Sequence, residues 1–269
     1  MVVTGAGGMG EAVARRLGLG RALVLADASE ERLRELAERL AAAGHRVHPV
    51  QVDVSAKADV ETLATTAAGL GSIRAVVHTA GVSPVQATPA QIVAIDVVGT
   101  ARVLDAFEPH VEPGAVAVCI ASMAGTMTTL DPERLALLAT TPTDELAALD
   151  LLDPAALDSG TAYGLAKRAN QVRVEAASVS WGRRGGRVLS LSPGVIATPM
   201  GRAELAGPFG DVMRTMIDRS GTGRVGTADD IAAVVEFLVS SAASFLTGTD
   251  LLVDGGVVAA LRYGSAGRT

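Results

Sequence analysis

Cysteine is all but missing from this chain. Cys119 is the single one in 269 residues, so no intrachain disulfide framework is possible, and this usage suits a reducing compartment. Its place inside the apolar run AVAVCI (115–120) marks it as a small buried hydrophobe rather than a nucleophile. Positive charge is also short. Lys plus Arg number 23 against 29 Asp plus Glu, a net of −6, which leaves no footprint for nucleic acid or an anionic membrane surface. Long apolar runs are absent too: the longest uncharged stretch, 113–130, is broken by Pro113, Gly114 and Gly125. The N-terminus has no basic segment leading into an apolar one, so neither a membrane helix nor a signal peptide is expected. No metal site is expected, and a cytoplasmic location is.

Two further scarcities point somewhere. The chain has two tyrosines, Tyr163 and Tyr263, and two lysines, Lys57 and Lys167, although Lys plus Arg reach 23. One tyrosine and one lysine fall together in GTAYGLAKRAN (160–170), four positions apart. A lysine in so arginine-rich a chain implies that arginine would not serve there.

What is present is alternation. Short β-branched runs, among them MVV, ALVLAD, VHPVQVDV, IRAVVHTAG, AVAVCIAS, RVLSLSPG and DLLVDGG, are separated by Ala/Leu/Arg segments of helical period. Near-continuous Val/Ile/Leu strands alternating with helices predict an α/β fold with a parallel sheet covered on both faces. The expected architecture is a single doubly wound, Rossmann-type domain over 1–269, with about seven strands. One segment stands apart. Residues 126–160 hold seven acidic residues and one base, Arg134, as much net charge as the whole chain. Asp131-Pro132 and Thr143-Asp144 read as helix starts, so two short helices are expected there.

The glycine cluster VVTGAGGMGEAVARRL follows the first strand and opens a helix. Gly5, Gly7 and Gly10 fit G-x-G-x-x-G, with Gly8 and Met9 between them. Glycines there let the backbone approach a pyrophosphate seated on the N-terminus of the helix. Asp27 closes the second strand 20 residues after Gly7, where a carboxylate bonds the adenosine ribose hydroxyls and repels a 2′-phosphate. With Ala28, Ser29, Glu30 and Glu31 following, no arginine immediately compensates, and NAD(H) is expected over NADP(H).

Residues at i and i+4 share a helical face, so Tyr163 and Lys167 point into one cleft. A free phenol is a poor base near neutral pH; an adjacent ammonium favours the phenolate. Tyr163 then takes a proton from a secondary alcohol, or gives one to a ketone, and Lys167, a compact charge, reaches ribose hydroxyls.

On these residues the chain resembles the short-chain dehydrogenases/reductases over nearly its whole length. The resemblance implies Tyr163 and Lys167 as the Tyr-x-x-x-Lys pair and Ser122, in IASMAG, as the serine that positions the reacting oxygen. It implies Asp53-Val54 at the adenine, Ala80-Gly81 beside the ribose, and Pro193, Gly194, Ile196 and Thr198, in SPGVIATPM, at the nicotinamide carboxamide. Three departures stand out. TGAGGMG is one residue shorter than the family's usual T-G-x-x-x-G-x-G. The family's Asn-Asn-Ala-Gly reads His78-Thr79-Ala80-Gly81, with His78 expected as a structural donor. The asparagine of the catalytic tetrad falls on Asp96, whose carboxylate would shift Lys167 upward.

Ser122 and Tyr163 also stand 41 positions apart, farther than the family's usual spacing, and the excess is the 126–160 segment. It reads either as a cover for substrate or as a change to an oligomer surface. The stretch 199–224 resembles the family's substrate loop. Its Met200, Leu205, Phe209, Met213 and Met216 suit an apolar pocket and suit core packing equally well. The expected function is NAD(H)-dependent interconversion of a secondary alcohol and a ketone, apolar, alicyclic or steroid-like, by a homo-oligomer (tetramer or dimer). The alternatives are a catalytically silent NAD-binding or sensor protein, for which Asp96 is the support, and a nucleotide-sugar epimerase or dehydratase, for which little chain remains after residue 200.

Overall fold

Parallel pairing needs a crossover between strands, and the alternating pattern supplies a helix for nearly every one. The computed structural model describes residues 1–264, so the end of the expected domain, 265–269, lies outside the described residues. The first half runs β1 (Val2–Thr4), α1 (Gly8–Leu17), β2 (Ala22–Asp27), α2 (Glu30–Ala42), β3 (Arg46–Gln51), α3 (Lys57–Gly69) and β4 (Ala75–His78). Next come α4 (Pro89–Ile92), a π-helical turn (Val93–Gly99), α5 (Thr100–Phe107), β5 (Val116–Ile120), α6 (Met123–Met127) and α7 (Pro132–Thr140). After two 3₁₀ turns (Thr143–Ala148 and Asp150–Leu152) follow α8 (Ser159–Arg183), β6 (Arg187–Pro193), α9 (Pro199–Ala206) and α10 (Gly210–Arg219). The chain closes with α11 (Ala228–Val239), β7 (Asp250–Val253) and α12 (Val257–Tyr263).

All seven strands form one parallel sheet in the order β3-β2-β1-β4-β5-β6-β7, the expected doubly wound arrangement. The order reverses between β1 and β4, so the carboxyl ends of those strands open a crevice there. On one face Val13, Leu25, Leu36, Val118 and Val235 are buried under α1, α2 and α11. On the other, Val60, Leu63, Phe107, Val174 and Trp181 are buried under α3, α5 and α8.

Both helix starts expected in the 126–160 segment are found, the first opening an α-helix and the second a 3₁₀ helix. Asp131 caps α7, accepting from the Arg134 N–H at 2.8 Å with Pro132 in the first turn. The helix start read at Thr143 is present, but as a 3₁₀ helix: Pro142 stands at its N-cap and offers no side-chain cap. Leu138, Leu146 and Leu152 are fully buried against Ile92, Val93 and Val97 and against Leu165, Ala166 and Ala169 of α8. The segment's apolar side therefore covers the outer face of the α4–α5 and α8 pair.

Arg173 of α8 pins it there. Its guanidinium donates to the Leu138 and Thr141 carbonyls at 3.1 and 2.9 Å and to the Thr143 hydroxyl at 3.2 Å. An Arg173→Met variant keeps the aliphatic stem and orphans these acceptors, a cost of about 2–3 kcal/mol. The expected result is a lower Tm with new cleavage inside 126–160 on limited proteolysis; an unchanged digest would mean the leucines hold the segment unaided.

Candidate functional site

The β1–α1 turn begins with Gly5 at φ +90°, where an added Cβ would stand 2.6 Å from the Thr79 hydroxyl oxygen. Only glycine suits both the left-handed backbone and that approach. Gly7 caps α1 with no side-chain partner, so the first N–H groups of the helix face the crevice, the arrangement that receives a phosphate. The shortened glycine motif thus still forms a tight turn that opens a helix.

That crevice is a cleft of about 620 Å³. Gly5, Gly7, Gly8, Met9 and Asp27 line it, with Asp53, Val54, Ala80, Gly81 and Thr198. Gly10, Pro193, Gly194 and Ile196 are not among the residues that line it. Asp27 is held on three sides: Oδ2 accepts from the Ala6 N–H at 2.7 Å, Oδ1 from the Ser29 N–H at 2.8 Å, and Arg32 approaches Oδ1 at 3.3 Å. No arginine stands immediately after the strand, but Arg32, five positions on, reaches Asp27. Ser29 caps α2, which puts Arg32 at the third helical position, facing back to the strand end; the cap residue was the signal that could have found it. At the far side, Asp53 Oδ1 accepts from the Ser55 N–H and hydroxyl at 2.8 and 2.7 Å, shaping the loop beside Val54.

Ser122, Tyr163, Lys167 and Asp96 are not part of the cleft lining but adjoin its end. Gly81 is the junction: a Cβ there would meet Asp96 Oδ1 at 3.1 Å and Lys167 Nζ at 3.2 Å. The π-helical turn, with one extra residue in its ring, carries Asp96 at zero exposure. Asp96 Oδ1 accepts from the Val82 N–H at 2.9 Å, and Oδ2 faces Lys167 Nζ at 3.2 Å, an ion pair without an aligned hydrogen bond. Lys167 Nζ also stands 5.3 Å from the centre of the Tyr163 ring.

The electrostatics differ in part from expectation. Burial works to lower the Lys167 ammonium, but Asp96 and Tyr163 outweigh it and hold Lys167 above its ordinary value, as the carboxylate at 96 implied. Tyr163 goes the other way from the sequence reading. Burial dominates and raises the phenol; Asp96 and Glu204 add to this, and the opposing pull of Lys167 and Ser122 does not reverse it. Burial also raises the Asp96 carboxyl against Lys167.

His78 is not an acid/base group. Its Nδ1 meets the Thr4 hydroxyl at 2.7 Å and its Nε2 the Thr100 hydroxyl at 3.1 Å, and burial lowers its pKa to about 3. It is a structural link between β1, β4 and α5. Cys119 is inert, its thiol pushed up to about 12 by burial.

In the 199–224 stretch, Thr198 caps α9 through the Gly201 N–H at 3.1 Å, and Met200 reaches the cleft. Leu205, Met213 and Met216 pack with Met123, Val195 and Ile217, so core packing accounts for them, while Phe209 is exposed. Glu204, which sequence reasoning missed, is half-buried on α9. Burial raises its carboxyl, and it is close enough to affect both Tyr163 and Lys167.

The residues also match known families. Residues 1–131 match the family model described as short chain dehydrogenase, and 153–258 the one described as enoyl-(acyl carrier protein) reductase. Neither of these matches reaches 132–152, inside the covering segment. A short-chain dehydrogenase/reductase of Alternaria brassicicola is 40% identical over 97% of this chain and 96% of its own length. A cis-4-hydroxycyclohexanecarboxylate dehydrogenase of Sinomonas cyclohexanicum is 31% identical over 96% of each. Among solved structures, a 3-alpha-hydroxysteroid dehydrogenase of a Pseudomonas species, complexed with NADH, has a TM-score of 0.79 at 26% identity. That match covers 100% of this chain and 99% of the other.

Proposed function

The chain belongs to the short-chain dehydrogenase/reductase family and is an oxidoreductase acting on CH–OH groups with a nicotinamide cofactor; from this premise we propose that it uses NAD(H) to interconvert an apolar, alicyclic or steroid-like secondary alcohol and its ketone. The observation that carries the cofactor choice is Asp27, 8% exposed at its side chain, on the lining of the cleft at the end of β2. A 2′-phosphate would meet this carboxylate directly, and Arg32 is already engaged by it. Gly5, the free N–H groups at the start of α1, Asp53 and Thr198 complete a cradle that fits a dinucleotide. When bound, the nicotinamide supplies the two-electron chemistry.

The protein's own groups handle the proton. Ser122 lies close enough to favour the Tyr163 phenolate and holds the substrate oxygen. Tyr163 takes the hydroxyl proton during oxidation and returns it during reduction. Lys167, kept cationic by Asp96, orients the ribose and stabilises charge on the phenol oxygen. Substrate class rests on the ring-bearing substrates named for two relatives.

Titration with NADH and with NADPH, followed by cofactor fluorescence, tests this. NADH is expected to bind at least about tenfold tighter, a difference of about 1.4 kcal/mol. Asp27→Asn keeps a loop acceptor while removing the charge, and it should narrow the gap, with Arg32→Ala in the same background weakening NADPH again. Preference for NADPH in the unmodified protein would sink the NAD(H) assignment.

A further inference from the structure

Ser122 and Tyr163 come from different elements, and what sets their separation is the contact between α6 and α8. The two helices touch backbone to backbone. A Cβ on Gly125 would lie 2.6 Å from the Lys167 carbonyl carbon and 2.8 Å from the Arg168 nitrogen. Yet α6 has five residues, far too few to be stable without outside support. Its start is the Ser122 cap, where Oγ accepts from the Ala124 N–H at 3.2 Å, so any drift of α6 moves that hydroxyl.

The support is a buried polar cluster behind the site. Gln171 continues the Tyr163–Lys167 stripe at the next i+4 position of α8. Its Nε2 donates to the Thr126 hydroxyl of α6 at 3.0 Å, with Ser192 Oγ at 2.8 Å and Asp250 Oδ2 at 3.2 Å also in reach. Arg168 donates to Gln171 Oε1 at 2.9 Å, which fixes the amide's orientation. Asp250, on β7, accepts from the Ser190 and Ser192 hydroxyls of β6 at 2.6 and 2.9 Å. With its proton committed to Asp250, Ser192 has only lone pairs to offer Gln171. An asparagine here could still accept from both serines through Oδ1, but its Nδ2 would stand against Gln171 Nε2, donor against donor, where Oδ2 now accepts. Gln171, Ser190 and Ser192 are at most 1% exposed. Burying such a cluster costs stability relative to apolar packing and fixes one geometry in return.

We propose that Gln171 and Asp250 are positioning residues that hold Ser122 against Tyr163 by fixing Thr126 and, with it, α6. The inference rests on the reading of Ser122 and Tyr163 as the reacting pair. Burial raises the Asp250 carboxyl, with Ser190, Ser192, Arg168 and Gln171 opposing.

The two tyrosines allow a direct test that needs no substrate. In protein labelled at tyrosine ¹³Cζ, the Tyr163 resonance is identified by its loss in Tyr163→Phe. In Asp250→Asn and Gln171→Met that resonance is expected to move and its alkaline titration to shift to higher pH, because the Ser122 contact favours the phenolate. The Tyr263 resonance should stay in place. With substrate, kcat should fall about tenfold, the size of one hydrogen bond to a charged group, and the Kd for NADH should change less than about twofold. Thr126→Val should reproduce the effect and Thr126→Ser restore it, which separates positioning from loss of stability. A Tyr163 resonance that stays put in Asp250→Asn and Gln171→Met overturns the proposal, as does a Thr126→Ser variant no better than Thr126→Val. Failure of the unmodified enzyme to oxidise or reduce any CH–OH or carbonyl compound would instead overturn the proposed function, leaving the resonance test intact.

Discussion

Tyr163→Phe is expected to lower kcat by about 100- to 10,000-fold, the range for loss of a general acid/base, while the Kd for NADH moves less than about twofold. Phenylalanine keeps the ring that packs against the cluster of Ile92, Leu138 and Ala162, so packing is preserved and only the ionisable hydroxyl is lost. The pH dependence carries a sign. Burial holds the phenol above its ordinary value, so reduction, which needs the protonated form, should be level through neutral pH. Oxidation needs the phenolate and should rise with pH until Tyr163 titrates. Stopped-flow rates in both directions check both statements. Retention of more than about a tenth of the activity by Tyr163→Phe would remove the phenol from the chemistry, since proton transfer at that level does not need it.

Lys167→Met should cost more than activity. Asp96 is wholly buried, and Lys167 is the cation it faces among the described residues. Removing the ammonium leaves a carboxylate with one backbone donor, from Val82, and an unpaired buried charge of that kind costs about 3–5 kcal/mol. A fall in Tm of about 10 °C follows for a domain of this size. The effect should depend on pH. In Lys167→Met the folded pKa of Asp96 lies further above its unfolded value, so the folded state binds the proton more tightly. Stability is then highest below the unfolded pKa and is lost as pH rises through the folded one. Calorimetry should show Lys167→Met recovering on acidification, and Asp96→Asn in the same background should recover most of the loss at neutral pH. A Lys167→Met protein within about 2 °C of the parent at pH 8, where a single kcal/mol already shifts Tm by that much, would mean that Asp96 is not charged in the fold.

How far the chain could be read from its residues varied by site. The Tyr163–Lys167 spacing, the Gly5–Gly10 turn and Asp27 were legible because each is local: a helical period, a left-handed turn and a strand end involve residues near in sequence. The strand runs predicted a parallel sheet for the same reason, since buried strands need continuous apolar residues. The 126–160 segment was legible as an anomaly, and its helix cap at Asp131 was too. Its destination was not, because Leu138, Leu146 and Leu152 find partners more than a dozen positions away on α8 and the π-helical turn.

The same limit governed the chemistry. A lysine four residues after a tyrosine suggested a lowered phenol, but the net shift depends on how much water the fold excludes. Here burial wins over the ammonium at 5.3 Å from the ring centre. Arg32 reaching Asp27, Glu204 near Tyr163 and Lys167, and Gln171 joined to Ser192 and Asp250 all rest on through-space proximity rather than on sequence spacing. The sequence by itself determined which groups could act: two tyrosines, two lysines, a glycine turn and an acid at the end of β2. Only the tertiary structure decided which of them meet, and in what dielectric, because charge interactions and desolvation depend on through-space distance and burial rather than on position along the chain.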